Sequence, residues 1–372
     1  MSDRIYLSPP HMSGNEMTYI QKAFDENFIS SMGENLNAFE QKAKEITQAD
    51  NLLAVVNGTA AIHLALRCIN IQEKDEVFVS SFTFIASVSP ILFEKATPVF
   101  IDSDMKSWNM DPKLLEQTLQ NYIKEGKTLP KAVIVTHLYG QCADIKTIAA
   151  ICKKHKLFLI EDAAESLGAS FEGQASGTFG DFGIYSFNGN KILTTSGGGI
   201  LVAKNAKYIE YAKFLSTQAK EDFPHYEHKT YGYNYRMSNI LAGIGIAQLD
   251  VLEERVEKRR AIFDTYKEAL QNYPISFMPE LNNSYGNRWL TTLLLKNSTI
   301  KENIREKLNS LNIESRPLWK PMHQQPLFHN STKYSNGVSD TLFDTGLCLP
   351  SGSNLTQDEQ SKIITIIQQE LS

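Results

Sequence analysis

"LFLIEDAAES", residues 157–166, runs through four apolar positions and then sets Glu161, Asp162 and Glu165 within five residues. An unbroken apolar run of this length suits a strand buried on both faces, in a sheet covered by helices. A carboxylate at the end of such a strand is expensive to desolvate unless it meets a cation, and a protonated pyridine nitrogen would serve Asp162 in that role. Similar runs recur on both sides: "LLAVV" (52–56), "EVFVSS" (76–81), "TPVFID" (97–102), "AVIVTHL" (132–138), "FGIYSF" (182–187) and "GGILVA" (198–203). With helical stretches over 59–69, 85–94 and 144–155 between them, these seven segments predict an α/β sheet. Loops at the carboxyl ends of such strands usually converge on one crevice.

The remainder is shorter-ranged. "SNILAGIGIAQLDVLEERVEKRRAIFDTYKEAL" reads as one long helix over about 238–272, bridging two domains. "WLTTLLL" (289–295), "IKENIREKLNSLNI" (300–313) and "DEQSKIITIIQQEL" (358–371) fit a small domain of mixed strand and helix. The expected division is a large domain over 13–250 and a small one over 251–372, with residues 1–12 packing near the active site. A chain of 372 residues, 42% hydrophobic, can bury such a core.

A formal net charge of −5 with interspersed signs gives no basic stripe, so nucleic acid is not expected as a partner. No apolar window spans a membrane and the N-terminus has no secretion core, so a cytoplasmic location is expected. Cys68, Cys142, Cys152 and Cys348 lie far apart and predict neither disulfides nor zinc. Asp102 and Asp104 read as a turn after a strand, and no metal is expected.

"SFNGNKILTTSGGG" (186–199) holds Lys191 in a Gly-rich loop after a buried strand. A lysine amine there can attack carbonyls and form Schiff bases, although most lysines are solvated surface groups. In "NGTAAIHLALR" (57–67), Gly58 and Thr59 mark a strand-to-helix junction that suits either a phosphate or a plain N-cap. Phe84 in "SSFTFIAS" (80–87) can stack on a flat ring or fill the core. A Schiff-base lysine, a buried aspartate, a phosphate cradle and an aromatic platform together are what pyridoxal phosphate requires.

"GENLNAFE" (33–40), "ATPVFIDSD" (96–104), "HLYGQCADI" (137–145), "LIEDAAESLGASFEG" (159–173), "GTFGDFGIYSFNGNK" (177–191), "GYNYRMSNILAGIGIAQL" (232–249) and "ESRPLWKPMH" (314–323) complete an ordered series. In that series the chain resembles, nearly end to end, the DegT/DnrJ/EryC1/StrS family of sugar aminotransferases. The resemblance implies the aspartate-aminotransferase-like fold type I, with a mostly parallel seven-stranded sheet and a small α/β C-terminal domain. It implies that Lys191 bonds covalently to pyridoxal 5'-phosphate and shuttles the proton, that Asp162 pairs with the pyridine nitrogen, and that Glu165 lies near the phenolic oxygen. Phe84 would stack on the ring, and Ser186, Thr59 and the backbone of Ala60 would hold the phosphate. Asn234 would reach in from a second subunit, making a homodimer with shared active sites.

One departure bears on the substrate. Where most of the family carries a His, this chain has Asn188, Gly189 and Asn190, followed by "ILTTSGGG". That variant, with "STQAKEDFPHYEHKTYGYNYRMSN" (216–239) and "YLSPPHM" (6–12), resembles the bacterial UDP-sugar C4 aminotransferases of bacillosamine biosynthesis. L-glutamate would then aminate a UDP-linked 4-keto-6-deoxy-N-acetyl hexose. Candidate contacts to the UDP-sugar are Ser31, Asn188, His225, Tyr226, His228, Arg316, Trp319 and His323. GDP- or dTDP-linked 4-ketosugars, C3 amination, and a cofactor-binding regulatory homologue without turnover remain as alternatives. A nicotinamide dehydrogenase is disfavoured, because no Gly-x-Gly-x-x-Gly follows the early strands.

Overall fold

A computed structural model describes residues 4–372. The seven apolar runs all form strands: β1 (Leu52–Val55), β2 (Glu76–Ser80), β3 (Thr97–Ile101), β4 (Ala132–Thr136), β5 (Phe158–Asp162), β6 (Phe182–Ser186) and β7 (Gly199–Ala203). They lie in one sheet in the order β1-β7-β6-β5-β4-β2-β3, with the two-residue strand Lys333–Tyr334 added beside β3. That eighth strand comes from the stretch assigned to the small domain. Only β7 runs antiparallel to its neighbours. Apolar clusters cover both faces, which is why the strands read as continuous apolar runs rather than alternating ones.

A second sheet of four short strands follows, in the order Ser276–Phe277, Thr291–Leu294, Gly346–Leu349, Arg316–Pro317. The N-terminal segment docks against it: Ile5 bridges Ile313, and the Ser351 N–H donates to the Leu7 carbonyl at 2.8 Å. Residues 1–3 of the segment expected near the active site lie outside the described residues.

Two helix expectations are corrected. The long helix over 238–272 is two, Asn239–Leu249 and Leu252–Leu270, interrupted at Asp250 and Val251. The first is apolar nearly all round and buried among other helices, whereas the second turns a charged face outward, so one straight axis does not serve both. The stretch 85–94 is a 3-10 turn, Ile85–Ser87, and a short helix, Ser89–Phe93, whose Pro90 lacks the N–H a continuous helix would need.

Gly183, inside β6, marks a close backbone approach, because a Cβ there would stand 1.8 Å from the Gly177 carbonyl oxygen. Gly183→Ala should therefore lower unfolding stability by about 3 kcal/mol or more in urea titration. A loss under about 1 kcal/mol would show that the strand and the 177 turn separate easily.

Candidate active site

The carboxyl ends of β4, β5 and β6 bring two acidic side chains, Asp162 and Glu165, together with one lysine. Asp162 ends β5 and is buried. Its Oδ2 accepts from Ser87 Oγ at 2.5 Å and its Oδ1 from the Ala164 N–H at 3.2 Å. Among the described residues no cationic side chain pairs with it. Glu161, one residue earlier, points to the other face, where it accepts from the N–H groups of Gly177, Phe179 and Gly180 and meets His137 Nε2 at 2.8 Å.

Lys191 lies in the loop after β6, with Nζ 3.3 Å from Glu165 Oε1 and 4.4 Å from the centre of the Trp289 ring. The other Glu165 oxygen accepts from the Tyr139 N–H at 2.7 Å. Tyr139 makes that bond from a left-handed backbone, φ 51°, which costs a non-glycine residue of order 1–3 kcal/mol. Burial pushes the Glu165 carboxyl up to about 7, against the opposing pull of the Lys191 ammonium.

The helix Gly58–Cys68 points its start at the same space. Its N-cap is Asn57, whose Oδ1 takes the Ala60 N–H at 2.7 Å. The Ala60 amide expected for a phosphate is thus already engaged. Among the described residues, the Gly58 and Thr59 N–H groups are the ones left without a protein acceptor, and the Thr59 and Ser186 hydroxyls have no protein partner. A Cβ at Gly58 would lie 3.2 Å from that of Ser186, a tighter approach than an ordinary contact.

These groups line a cavity of about 300 Å³ that includes Thr59, Phe84, Asp162, Glu165, Ser186, Asn188, Lys191, Trp289 and Trp319. A wider cavity of about 570 Å³ adjoins it, sharing Phe84, Asn190, Trp289 and Trp319 and adding Tyr6, Pro9, Pro10 and Arg316. Phe84 is half exposed, 5.4 Å from the Trp319 ring, so it faces the cavity rather than the core. Arg316 sits at the rim, paired with Glu314.

The other expected contacts fall elsewhere. His323 is buried between Ser81 Oγ at 2.6 Å and Asp340 at 2.9 Å, outside both cavities, so its two ring nitrogens are spent on the fold. His225, Tyr226 and His228 are on an exposed loop, Ser31 is half-buried and Asn234 is exposed; none lines either cavity of the single chain. Asp102 accepts from Ser335, Gly337 and Ser339 at the start of helix Val338–Thr345, and no metal-holding cluster occurs among the described residues. Tyr139, Trp289 and the hydroxyls of Ser87, Thr83 and Thr136 had no sequence signal beyond their strand ends.

The donor set fits pyridoxal 5'-phosphate. Unpartnered amides and hydroxyls suit a phosphate, a buried carboxylate without a cation suits a protonated ring nitrogen, and a largely buried lysine amine lines the same cavity. A model of the DegT/DnrJ/EryC1/StrS aminotransferase family matches residues 10–368. EpsN of Bacillus subtilis (strain 168), named as a pyridoxal phosphate-dependent aminotransferase, is 54% identical over 99% of this chain and 96% of its own length. The GDP-perosamine synthase of Escherichia coli O157:H7 is 36% identical over 94% of each chain. A DegT DnrJ EryC1 StrS aminotransferase from Brucella abortus, solved by crystallography, superposes with a TM-score of 0.90 at 29% identity, covering 96% of this chain and 95% of that one.

The raised Glu165 carboxyl has a stability consequence. A carboxyl that binds its proton more tightly when folded adds stability below its unfolded value of 4.5, and that contribution fades as pH rises through about 7. Without added ligand, Glu165→Gln should gain on the natural chain by about 3 kcal/mol between pH 4 and pH 8 in urea unfolding. A pH-independent difference between the two proteins would contradict this assignment.

Proposed function

Because this chain belongs to the DegT/DnrJ/EryC1/StrS aminotransferase family, we propose that it transfers the amino group of L-glutamate to C4 of a UDP-linked 4-keto-6-deoxy-N-acetyl hexose. The products would be UDP-4-amino-4,6-dideoxy-N-acetylglucosamine and 2-oxoglutarate. Pyridoxal-phosphate-dependent sugar amination is the family's chemistry and is this chain's. The observation that carries the assignment of roles is the Lys191 amine beside Glu165, in one cavity with Asp162 and the open helix start.

When bound, pyridoxal phosphate supplies an aldehyde that takes up the amino group and a ring that draws electrons from the adjoining carbon. Thr59, Ser186 and the amides of Gly58 and Thr59 hold its phosphate, which fixes the ring relative to Lys191. Asp162 holds a positive charge on the ring nitrogen, and its burial leaves little water to screen that pairing. The Lys191 amine moves the proton to and from the reacting carbon, a general acid–base role for which the Trp289 face and Glu165 hold it in place. Glu165, poised near neutrality, gives or takes a proton beside that amine without leaving its bond to Tyr139.

For the sugar, the adjoining cavity offers the aromatic faces of Trp319, Phe84 and Tyr6 and the guanidinium of Arg316, suited to a base and a diphosphate. Preference for UDP rests on the resemblance of "SFNGNK" and its flanks. A GDP-linked 4-ketosugar is the second reading, favoured by the 36% identity to a GDP-perosamine synthase. A homodimer with shared sites is supported by exposed Phe24, Phe28, Ile29 and Met32 around Ser31, which leave an apolar patch for a second copy to cover. Exposed Asn234 would then serve the partner's site.

Purified protein given glutamate and the UDP-, GDP- and dTDP-linked 4-keto-6-deoxy sugars should release 2-oxoglutarate fastest with the UDP substrate. Faster turnover with a GDP sugar would install the second reading. Lys191→Ala should lower turnover by about 10⁴-fold or more with the fold intact by circular dichroism, since one residue supplies both the covalent tether and the proton transfer. Turnover within tenfold of the natural protein would overturn the role of Lys191.

A further inference from the structure

We infer that a one-way chain of three buried hydroxyls, Thr136 to Thr83 to Ser87, holds the Asp162 carboxylate in place and tunes it, making Ser87 a positioning residue for the reaction. This rests on the pyridoxal phosphate reading above. Ser87 Oγ lies 2.5 Å from Asp162 Oδ2, Thr83 Oγ1 lies 2.7 Å from Ser87 Oγ, and Thr136 Oγ1 lies 2.8 Å from Thr83 Oγ1. All four side chains are buried.

Proton counting sets the direction. An ionised carboxylate has nothing to donate, so the Ser87 hydroxyl gives its only proton to Asp162. The Thr83 contact must then be Thr83 donating to Ser87, and the Thr136 contact must be Thr136 donating to Thr83. Each bond polarises the next toward the carboxylate, and burial keeps water from competing. The short Ser87 bond is charge-assisted, the kind whose removal is most costly.

The chain also joins three strand ends. Thr136 closes β4 and pairs in register with Asp162 at the end of β5, while Thr83 and Ser87 follow β2. Thr83, Thr136 and Asp162 line the cavity; Ser87 does not, so it acts through the carboxylate and touches no ligand. Together with the Ala164 N–H on the other oxygen, the chain leaves Asp162 donors on both oxygens and no cationic side chain among the described residues, so the positive partner is left to the ligand.

Ser87→Ala removes the last link. In the holoenzyme, kcat should fall about tenfold or more, while KM for the amino donor stays within about twofold, as expected for one hydrogen bond to a charged group. The pH titration of the bound cofactor's visible absorbance band should shift, and Ser87→Thr, which keeps the hydroxyl, should restore both. Thr83→Val, close in shape, should act in the same direction but more weakly, and it carries the test if Ser87→Ala does not fold. A Ser87→Ala or Thr83→Val protein with lowered melting temperature but unchanged kcat and unchanged band titration would overturn the proposal, leaving the hydroxyls as packing. A natural protein that shows no visible band with pyridoxal phosphate would overturn the cofactor reading itself, a result distinguishable from failure of the hydroxyl chain.

Discussion

Asp162 is a buried carboxylate that no cationic side chain among the described residues answers, and much of the site is arranged around that imbalance. Two other acids lie within three residues and each is answered differently: Glu161 by His137 and three backbone amides, Glu165 by Lys191 and the Tyr139 amide. Asp162 has neutral donors alone, from Ser87 and Ala164. Neutral donors lower the penalty of burying a charge without cancelling it, and the remaining negative potential selects a positively charged ligand atom. Placing that atom beside a lysine and an open helix start narrows the ligand to one with an anionic end, a basic ring nitrogen and a carbonyl.

The scaffold makes this arrangement rigid. Parallel strands end side by side, so the register of β4 with β5 puts Thr136 opposite Asp162, and β6 delivers Ser186 and the Lys191 loop alongside. The loop is anchored by the turn that leads into the second sheet and by the N-terminal segment: the Asn190 carbonyl accepts from Trp289 Nε1 at 2.7 Å and from Ser8 Oγ at 2.8 Å. A lysine with long, flexible reach is thereby held over an aromatic face, and the N-terminal segment becomes part of the wall.

The seven strands were legible because burial on both faces writes itself as an unbroken apolar run. The two-residue strands at 316–317 and 333–334 were not, since so short a pairing leaves no periodicity. Lys191 and Asp162 stood out by their position at strand ends, Ser186 came only from the family resemblance, and the structure brings all three to one cavity. Tyr139 did not, because nothing marks a non-glycine residue that adopts a left-handed backbone to aim its amide. Trp289 read as one more apolar residue of a strand segment, and the Thr136, Thr83 and Ser87 hydroxyls are ordinary until three strand ends are seen together. The Asn57 side chain displaced the Ala60 amide because an N-cap and a phosphate compete for the same donors. His323 shows the opposite error: a histidine that looked available for ligand is buried with both ring nitrogens engaged, by Ser81 and by Asp340.

In the proposed reaction Lys191 bonds covalently to pyridoxal phosphate. Incubating the protein with the cofactor, reducing it with borohydride and mapping the peptides by mass spectrometry tests this directly. The account predicts the reduced cofactor's mass on the peptide containing Lys191, and no such adduct in Lys191→Ala. An adduct on another lysine, or none in the natural protein, would contradict it.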